Sequence, residues 1–299
     1  MMAMAEPRPE ISVLIANFNN GAESSVFGTN LIVQCLESIR MNIGEGISWE
    51  CLVWDDGSTD SGLATVRAYG ESDGRFRLFE GKHVGRVGEI YNRLVERATG
   101  RICVRMDGDT VTLTEGWGKR ILWRFDEDSR VGMIGPVQVW DPDDPEVTRA
   151  GRVRCFRCWL WTPRGRRNPW RGKVVNSCAG ASGMCDYVSG SWVAFPRKIW
   201  EEGAKWDNGY RGRGEDLDWF VRARSFGYSC YGDAGIVVVH RDTVRVKRGY
   251  RDRATEVEDS LRFEQTWGFH HYFPDRASVV KWGTSWRENA AGIPVDSKW

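Results

Sequence analysis

The stretch Trp49-Glu-Cys-Leu-Val-Trp-Asp-Asp-Gly-Ser-Thr-Asp60 changes character at Asp55. Before that residue it is apolar except for Glu50, which is typical of a short buried strand. An acidic turn over residues 55–60 ends the strand, and residues at helical spacing follow at 61–69. Strand, turn and helix in this order are the repeating unit of an open α/β sheet.

The same unit recurs on both sides of this stretch. Apolar runs predict strands at 11–16, 75–80 and 101–106, and helical spacing predicts helices at 31–39 and 87–98. Strands that alternate with helices favour a mostly parallel central sheet with helices on both faces. Ligands of such sheets bind beyond the carboxyl ends of the strands. We therefore expect an α/β fold with its functional site at that edge.

The rest of the chain contains an irregular insert, further elements and a tail. Strands are predicted at 131–140, 187–195 and 236–239, and helices at 215–226 and 257–267. Pro196 is expected to open another short helix. The insert, residues 141–183, is rich in Pro, Gly and Arg and has no clear periodicity. We expect a tail at 1–10, one domain at 11–242 that contains the insert, and a helical extension at 243–299.

The composition is that of a globular protein. Of the 299 residues, 41% are hydrophobic and 28% are charged, and the net charge of +1 excludes a uniformly basic surface. No apolar run approaches the roughly 18 residues that a membrane helix needs. Residues 1–10 lack the basic and apolar regions of a signal peptide. The expectation is a cytoplasmic protein without a transmembrane segment.

Polar clusters follow the predicted strands at the expected binding edge. Residues 17–20, residues 55–60 and Asp107-Gly-Asp109 follow three strands, Glu215-Asp216 begins a helix, and His240 ends the last strand. Local rules explain four of these clusters separately: residues 55–60 as a turn and a helix cap, Asp107-Gly-Asp109 as a hairpin turn, Glu215-Asp216 as carboxylates at the positive end of a helix, and His240 as a structural histidine. Their recurrence beside strand ends and helix starts favours one shared site instead.

In this order the clusters resemble those of family 2 glycosyltransferases, which have the GT-A (Rossmann-like) fold. The resemblance covers residues 11–242. The matching segments are Ile11-Ser-Val-Leu-Ile-Ala-Asn-Phe-Asn19, Leu36-Glu-Ser-Ile39, Glu50 with Asp55-Asp-Gly-Ser-Thr-Asp60, Ala98-Thr-Gly100, Asp107-Gly-Asp109, Gly214-Glu-Asp-Leu-Asp218, Arg222, Gly227-Tyr228 and His240. The resemblance implies an inverting transfer of a sugar from a nucleotide-diphosphate sugar, with a UDP-sugar favoured, to an acceptor hydroxyl.

The resemblance also implies roles for individual residues. The residues expected to bind the nucleotide-sugar are Asn17, Asn19, Asp55, Asp56, Arg86 and Asp107. Mn²⁺ or Mg²⁺ would be held by Asp107, Asp109 and His240, because hard cations prefer carboxylates and tolerate an imidazole. Asp216 would be the base that removes the acceptor's proton, and Glu215 would orient the acceptor or the loop.

A basic segment inside the insert suggests an acceptor. Residues 149–173 contain nine Lys or Arg residues, no acid and several aromatic side chains. Positive charge interleaved with aromatic rings suits phosphates and bases, so a hydroxymethylated DNA base is one predicted acceptor. The expected acceptor contacts are Arg164, Arg166, Arg167, Trp170, Arg211 and Arg213. A solvated basic loop is the alternative explanation, and a glycan, a lipid-linked carrier and a protein are the alternative acceptors.

The eight cysteines are expected to be reduced thiols, because a cytoplasmic protein without an export signal is expected. Four of them also suggest a structural Zn²⁺ site that would staple the insert: Cys155, Cys158, Cys178 and Cys185. The spacing of the second pair is wider than is usual for zinc.

Two rival functions stay open on the sequence alone. A nucleotidyltransferase also pairs carboxylates with a metal, but it needs a glycine-rich phosphate loop with a lysine after the first strand, and residues 17–28 contain no lysine. A catalytically silent nucleic-acid-binding module on the same fold is the other rival. It would keep its function after the substitution Asp216→Asn, whereas an enzyme would lose turnover.

Overall fold

A computed structural model of the chain describes residues 8–24, 29–142, 152–157, 182–241 and 253–267. The strands in these ranges are β1 (Ile11–Asn17), β2 (Trp49–Asp55), β3 (Phe76–Glu80), β4 (Ile102–Asp107), β5 (Thr110–Thr112), β6 (Val131–Val139), β7 (Val153–Cys155), β8 (Gly183–Cys185), β9 (Trp192–Pro196) and β10 (Ser229–His240). The α-helices are α1 (Leu31–Asn42), α2 (Gly62–Ser72), α3 (Val87–Arg97), α4 (Trp117–Glu127), α5 (Arg197–Glu201), α6 (Glu215–Ser225) and α7 (Arg253–Trp267).

The strands form one sheet in the order β3-β2-β1-β4-β9-β6-β10-β5, with β7 beside β6 and β8 beside β10. Strands β3, β2, β1 and β4 are parallel to one another, and β6 is parallel to β10. The other pairings are antiparallel, and none of them contains more paired residues than the shortest parallel pairing. The predicted mixed α/β fold with a mostly parallel sheet is confirmed.

Helices cover both faces of this sheet. Alternate residues of each strand point to opposite faces and therefore pack against different helices. Val13 and Val104 belong to the core packed against α1, α2 and α4. Leu14 and Cys103, their chain neighbours, belong to the core packed against α3, α5 and α6. Both strands are therefore buried on both faces, as parallel sheets usually are.

The register of the parallel strands brings three carboxyl ends to one edge. Asn17 lies opposite Asp55 on β2, and Ala16 lies opposite Asp107 on β4. The edge predicted from the sequence to bind a ligand is thus formed by the residues expected there.

Several elements differ from the sequence-based expectation. Helix α4 was not predicted, although Trp117, Ile121 and Phe125 are buried at helical spacing. Strand β5 pairs with β10 rather than with β4, which excludes a hairpin turn as the explanation for Asp107-Gly-Asp109. Strand β10 begins at Ser229, well before the predicted start at residue 236. The prediction missed the first part of the strand because a register irregularity between Asp233 and Val237 interrupts the apolar pattern. Within the described ranges, no helix has the length and apolar character needed to cross a bilayer.

Candidate active site

Two carboxylates and one imidazole converge where β4, β5 and β10 meet. Asp107 ends β4, Asp109 precedes β5, and His240 ends β10. Because β5 pairs with β10, the amide of Arg241 donates to the carbonyl of Asp109 at 3.0 Å. His240 Nε2 then lies 3.2 Å from Oδ1 of Asp109 and 3.6 Å from Oδ2 of Asp107.

This cluster fits one hard divalent cation. One ligand atom from each of Asp107, Asp109 and His240 lies within 4.8 Å of the others. Asp109 is buried, and carboxylate oxygens with one imidazole nitrogen suit Mn²⁺ or Mg²⁺. The hydroxyl of Tyr91 lies 3.0 Å from Oδ1 of Asp107, on the oxygen that does not face His240. Burial raises the pKa of Tyr91, so this hydroxyl stays a donor.

A second carboxylate pair stands at the start of α6. Glu215 and Asp216 are its first two residues, and Asp216 Oδ1 accepts the amide proton of Leu217 at 2.8 Å. Burial, and then the charge of Glu215, raise the pKa of Asp216 to about 6, while Arg105 acts in the opposite direction. A carboxyl group whose pKa is close to neutrality is suited to take a proton from a hydroxyl.

Arg105, inside the sheet, lies between the Asp107–Asp109–His240 cluster and the Glu215–Asp216 pair. It lies at the centre of β4, and its side chain is 3% exposed. Its Nη2 lies 2.8 Å from Oε1 of Glu215 and 4.0 Å from Oδ1 of Asp107, and its guanidinium lies over the ring of Tyr91. No motif in the sequence pointed to this residue. The available signal was a charged side chain inside an otherwise apolar strand.

The carboxylate of Asp216 occupies the volume that a side chain at position 190 would fill. A Cβ atom at position 190 would overlap the carboxylate of Asp216. The next residue, Ser191, accepts the amide proton of Asp107 through its carbonyl at 2.9 Å. The segment before β9 therefore touches both carboxylate groups, and no sequence pattern indicated this role.

The predicted base and ribose residues Asn17 and Asp55 bind each other. Asn17 Nδ2 donates to Oδ2 of Asp55 at 2.7 Å, and both side chains are buried. Asp55 also accepts from the amide and the hydroxyl of Ser58, at 2.8 and 2.7 Å. These two residues hold the turn after β2, and their contact with a ribose stays a prediction.

The side chains of Asp56 and Asn19 accept hydrogen bonds from backbone amides of neighbouring loops. Asp56 accepts the amide protons of Val84 and Gly85 at 2.9 and 3.1 Å, and its Oδ2 lies 2.8 Å from Nδ1 of His83. Asn19 accepts the amide proton of Thr59 at 2.8 Å. These hydrogen bonds tie together the loops after β1, after β2 and before α3.

Two further rings and a guanidinium lie at the same edge. Phe18 stacks on His83 with 4.2 Å between the ring centroids. Arg86, the predicted diphosphate ligand, precedes α3, and its Nη1 lies 3.6 Å from Oε2 of Glu89. Its contact with a diphosphate stays a prediction.

The amino-acid sequence of the chain matches the profile of one protein family. The sequence profile described as glycosyl transferase family 2 matches residues 12–190, which is more than half of the chain. The chain belongs to glycosyl transferase family 2. The resemblance derived from the clusters is therefore confirmed. No curated protein sequence is significantly similar to the chain.

Solved structures share the fold of this family 2 chain at low sequence identity. GalNAc-T7 with UDP, GalNAc and Mn²⁺ is 15% identical with a TM-score of 0.57, and the match covers 79% of this chain and 44% of GalNAc-T7. The mannosyltransferase PcManGT from Pyrobaculum calidifontis, with GDP-Man and Mn²⁺, is 18% identical with a TM-score of 0.52, over 97% of this chain and 78% of PcManGT. Residues 1–349 of S. aureus TarS with UDP-GlcNAc are 14% identical with a TM-score of 0.57, over 97% and 76% of the two chains. This chain thus spans less than half of GalNAc-T7, and the similarity establishes the GT-A fold.

The remaining predicted residues of the family 2 chain lie partly outside the described ranges. Arg211 and Arg213 lie in the loop before α6, next to Glu215. The other expected acceptor contacts lie outside the described residues: Arg164, Arg166, Arg167 and Trp170.

The four-cysteine zinc site also stays a prediction. Cys155 ends β7 and Cys185 ends β8, where Cys185 lies opposite Cys230 of β10. The other two members of the proposed site, Cys158 and Cys178, lie outside the described residues.

Proposed function

We propose that this family 2 protein is a metal-dependent, inverting glycosyltransferase. It would move a sugar from a nucleotide-diphosphate sugar to an acceptor hydroxyl. The observation that carries the proposal is the bridge formed by Arg105, which contacts Glu215 beside the candidate base and approaches Asp107 of the candidate metal cluster. A base and a metal site on one sheet edge are the two groups that this transfer needs.

Asp107, Asp109 and His240 would hold the cation, Mn²⁺ or Mg²⁺. When bound, the cation supplies positive charge that stabilises the diphosphate leaving group. Asp107 would be held in place from the protein side, because Tyr91 contacts its Oδ1. Mn²⁺ accompanies the nucleotide in the GalNAc-T7 and PcManGT structures, which supports a metal at the corresponding site here.

Asp216 would act on the acceptor. As the acceptor oxygen bonds to the anomeric carbon, the bond from that carbon to the phosphate oxygen breaks. The nucleoside diphosphate leaves with the bonding electrons, and Asp216 takes the proton of the hydroxyl. Attack opposite the leaving group inverts the configuration at the anomeric carbon. The raised pKa of Asp216, due first to burial, supports this role.

A UDP-sugar is the donor that we favour. GalNAc-T7 was solved with UDP and TarS with UDP-GlcNAc, whereas PcManGT was solved with GDP-Man. Both nucleotides therefore belong in the first test. The acceptor is proposed only as a hydroxyl, and the basic residues 149–173 motivate hydroxymethylated DNA as the first candidate.

The test measures nucleotide release from UDP-, GDP- and dTDP-sugars with Mn²⁺, with and without hydroxymethylated DNA. Release that falls at least about 100-fold in both Asp109→Ala and Asp216→Asn supports the proposal. Asp126→Asn is the matched control, because Asp126 is exposed and pairs only with Arg101 among the described contacts. Stimulation by the DNA would support a nucleic-acid acceptor, and its absence would direct the search to glycans, lipid-linked carriers and proteins.

DNA binding that is unchanged in Asp216→Asn, without nucleotide release by the wild type from any donor, would favour a silent binding module instead. Direct detection of the anomeric configuration of the product would test inversion.

A further inference from the structure

Helix α7 contacts the loop before α6 through one buried carboxylate. Asp259 is 2% exposed, and its carboxylate accepts three successive backbone N–H groups. The donors are the amides of Arg211 at 3.1 Å, Gly212 at 2.7 Å and Arg213 at 2.8 Å. Three amides that converge on one carboxylate form strong, charge-assisted hydrogen bonds.

The three amides belong to the loop directly before Gly214, the N-cap residue of α6. The N-cap residue is Gly214, with φ of 87° and no side chain to accept a hydrogen bond. Within the first turn, the amide of Leu217 donates to Oδ1 of Asp216 at 2.8 Å, so the loop and the carboxylate of Asp216 are held by adjacent hydrogen bonds. Asp259 supplies negative charge just before the helix, where the helix dipole is positive.

Two more contacts fasten α7 on both sides of the Glu215-Asp216 pair. Before the pair, Arg262 binds Asp207 through Nη2 at 2.7 Å and Nε at 2.9 Å. After the pair, Trp267 Nε1 donates to Oδ1 of Asp218 at 2.7 Å. Helix α7 therefore spans the segment that carries the candidate base, and Asp259 is its central contact.

We infer that Asp259 is a positioning residue that sets the start of α6 and thereby the carboxylate of Asp216. The inference rests on the proposed function, because it assigns Asp259 to the same transfer. It concerns a part of the chain beyond residues 12–190, the segment that matches the family profile. The α7 helix would thus complete the active site rather than extend the fold.

The experiment compares Asp259→Asn with Glu258→Gln in the full chain. Glu258 is the neighbouring residue on α7 and is exposed, so it is a matched control for the loss of one charge. Three quantities are measured: turnover in nucleotide release from UDP-GlcNAc and GDP-Man with Mn²⁺, the Kd for UDP and GDP with Mn²⁺, and hydrogen exchange of the amides of Arg211, Gly212 and Arg213. We expect Asp259→Asn to lower kcat about 10- to 100-fold, because a small displacement of a catalytic group has an effect of that size. Exchange of the three amides should accelerate at least about 10-fold while nucleotide Kd stays within about two-fold.

Each outcome decides the inference. Wild-type kcat in Asp259→Asn, or unchanged exchange of the three amides, would overturn it. A parallel loss of kcat, nucleotide affinity and Tm would indicate general destabilisation and would also overturn it. If Asp259→Asn fails to fold, Asp259→Glu is used, which keeps the charge but shifts the carboxylate, and the same loss of kcat at unchanged nucleotide Kd is expected. A wild type that turns over no donor contradicts the proposed function, whereas amide exchange still reports whether Asp259 holds the loop.

Discussion

The guanidinium of Arg105 and the carboxylate of Glu215 form a buried ion pair, with 2.8 Å between Nη2 and Oε1. The side chain of Arg105 is 3% exposed and that of Glu215 is 14% exposed. Because β4 carries Arg105 and α6 carries Glu215, the pair joins the strand that ends at Asp107 of the candidate metal cluster to the helix of the candidate base. A buried pair of this kind is sensitive to the loss of either partner, since the other charge is left without compensation.

The substitution Arg105→Gln should change both stability and pH dependence. Arg105 lowers the pKa of Asp216, so its removal should move the acid limb of the kcat–pH profile to higher pH. Removing one partner of the buried pair should lower the free energy of unfolding by about 3–5 kcal/mol. Arg101→Gln is the control, because the Arg101–Asp126 pair is exposed and should contribute about 1 kcal/mol or less. An acid limb at the wild-type pH would show that Arg105 does not act on Asp216.

Turnover should rise with pH through about pH 6. Asp216 must be ionised to take a proton, and its pKa is raised to about 6 by burial and by Glu215. Nucleotide release measured between pH 4.5 and 8 should therefore show an acid limb near that value, which is absent from the residual rate of Asp216→Asn. A pH-independent rate in the wild type would remove Asp216 from the role of base.

Asp216→Asn should also stabilise the protein at neutral pH. The pKa of Asp216 in the folded chain, about 6, lies above its usual value of 3.8. Burial thus favours the protonated form, and the stability present below about pH 4 is lost as the pH rises through about 6. Asparagine does not ionise, so the variant should gain up to about 3 kcal/mol above pH 6 and nothing below pH 4. Urea unfolding at pH 4 and pH 7.5 checks the prediction, and an equal difference at both pH values would contradict it.

Asp109→Asn should weaken binding of Mn²⁺ at least about 10-fold. Asp109 is buried beside His240 and offers a charged oxygen that asparagine lacks. Titration of Mn²⁺ in the presence of UDP, followed by electron paramagnetic resonance, measures the change. Asp126→Asn is the control, because Asp126 is exposed, pairs with Arg101 and lies outside the candidate cluster. Equal affinities in wild type and Asp109→Asn would contradict this metal site.

Gly190→Ala should reduce turnover at least about 10-fold while the chain still folds. The added methyl group would overlap the carboxylate of Asp216, which must move. Gly74→Ala is the control, since no atom lies within 4 Å of a Cβ at that position. Nucleotide release and Tm are compared in the two variants. Wild-type turnover in Gly190→Ala would show that Asp216 tolerates displacement.

Much of the fold followed from local patterns in the sequence. Apolar runs were sufficient to locate β1, β2 and β4, because burial on both faces of a parallel strand requires a continuous apolar run. Helical spacing of apolar residues was sufficient to locate α1 and α3. Three of the polar clusters were found for the same reason, since residues 17–20, 55–60 and 107–109 each directly follow such a run. The order of the clusters along the chain indicated family 2, and the profile match over residues 12–190 confirmed it.

The contacts that organise the site were decided only by the tertiary structure. The pairing of β5 with β10 brings His240 to Asp109, across 131 positions of sequence. Arg105 meets Glu215, and Asp259 meets the loop before α6, through packing between elements that no local pattern links. Periodicity reports which face of an element is buried, but it carries no information about which element lies against that face. The residues with candidate chemistry could therefore be read from the sequence, whereas their partners could be identified only once the elements were packed together.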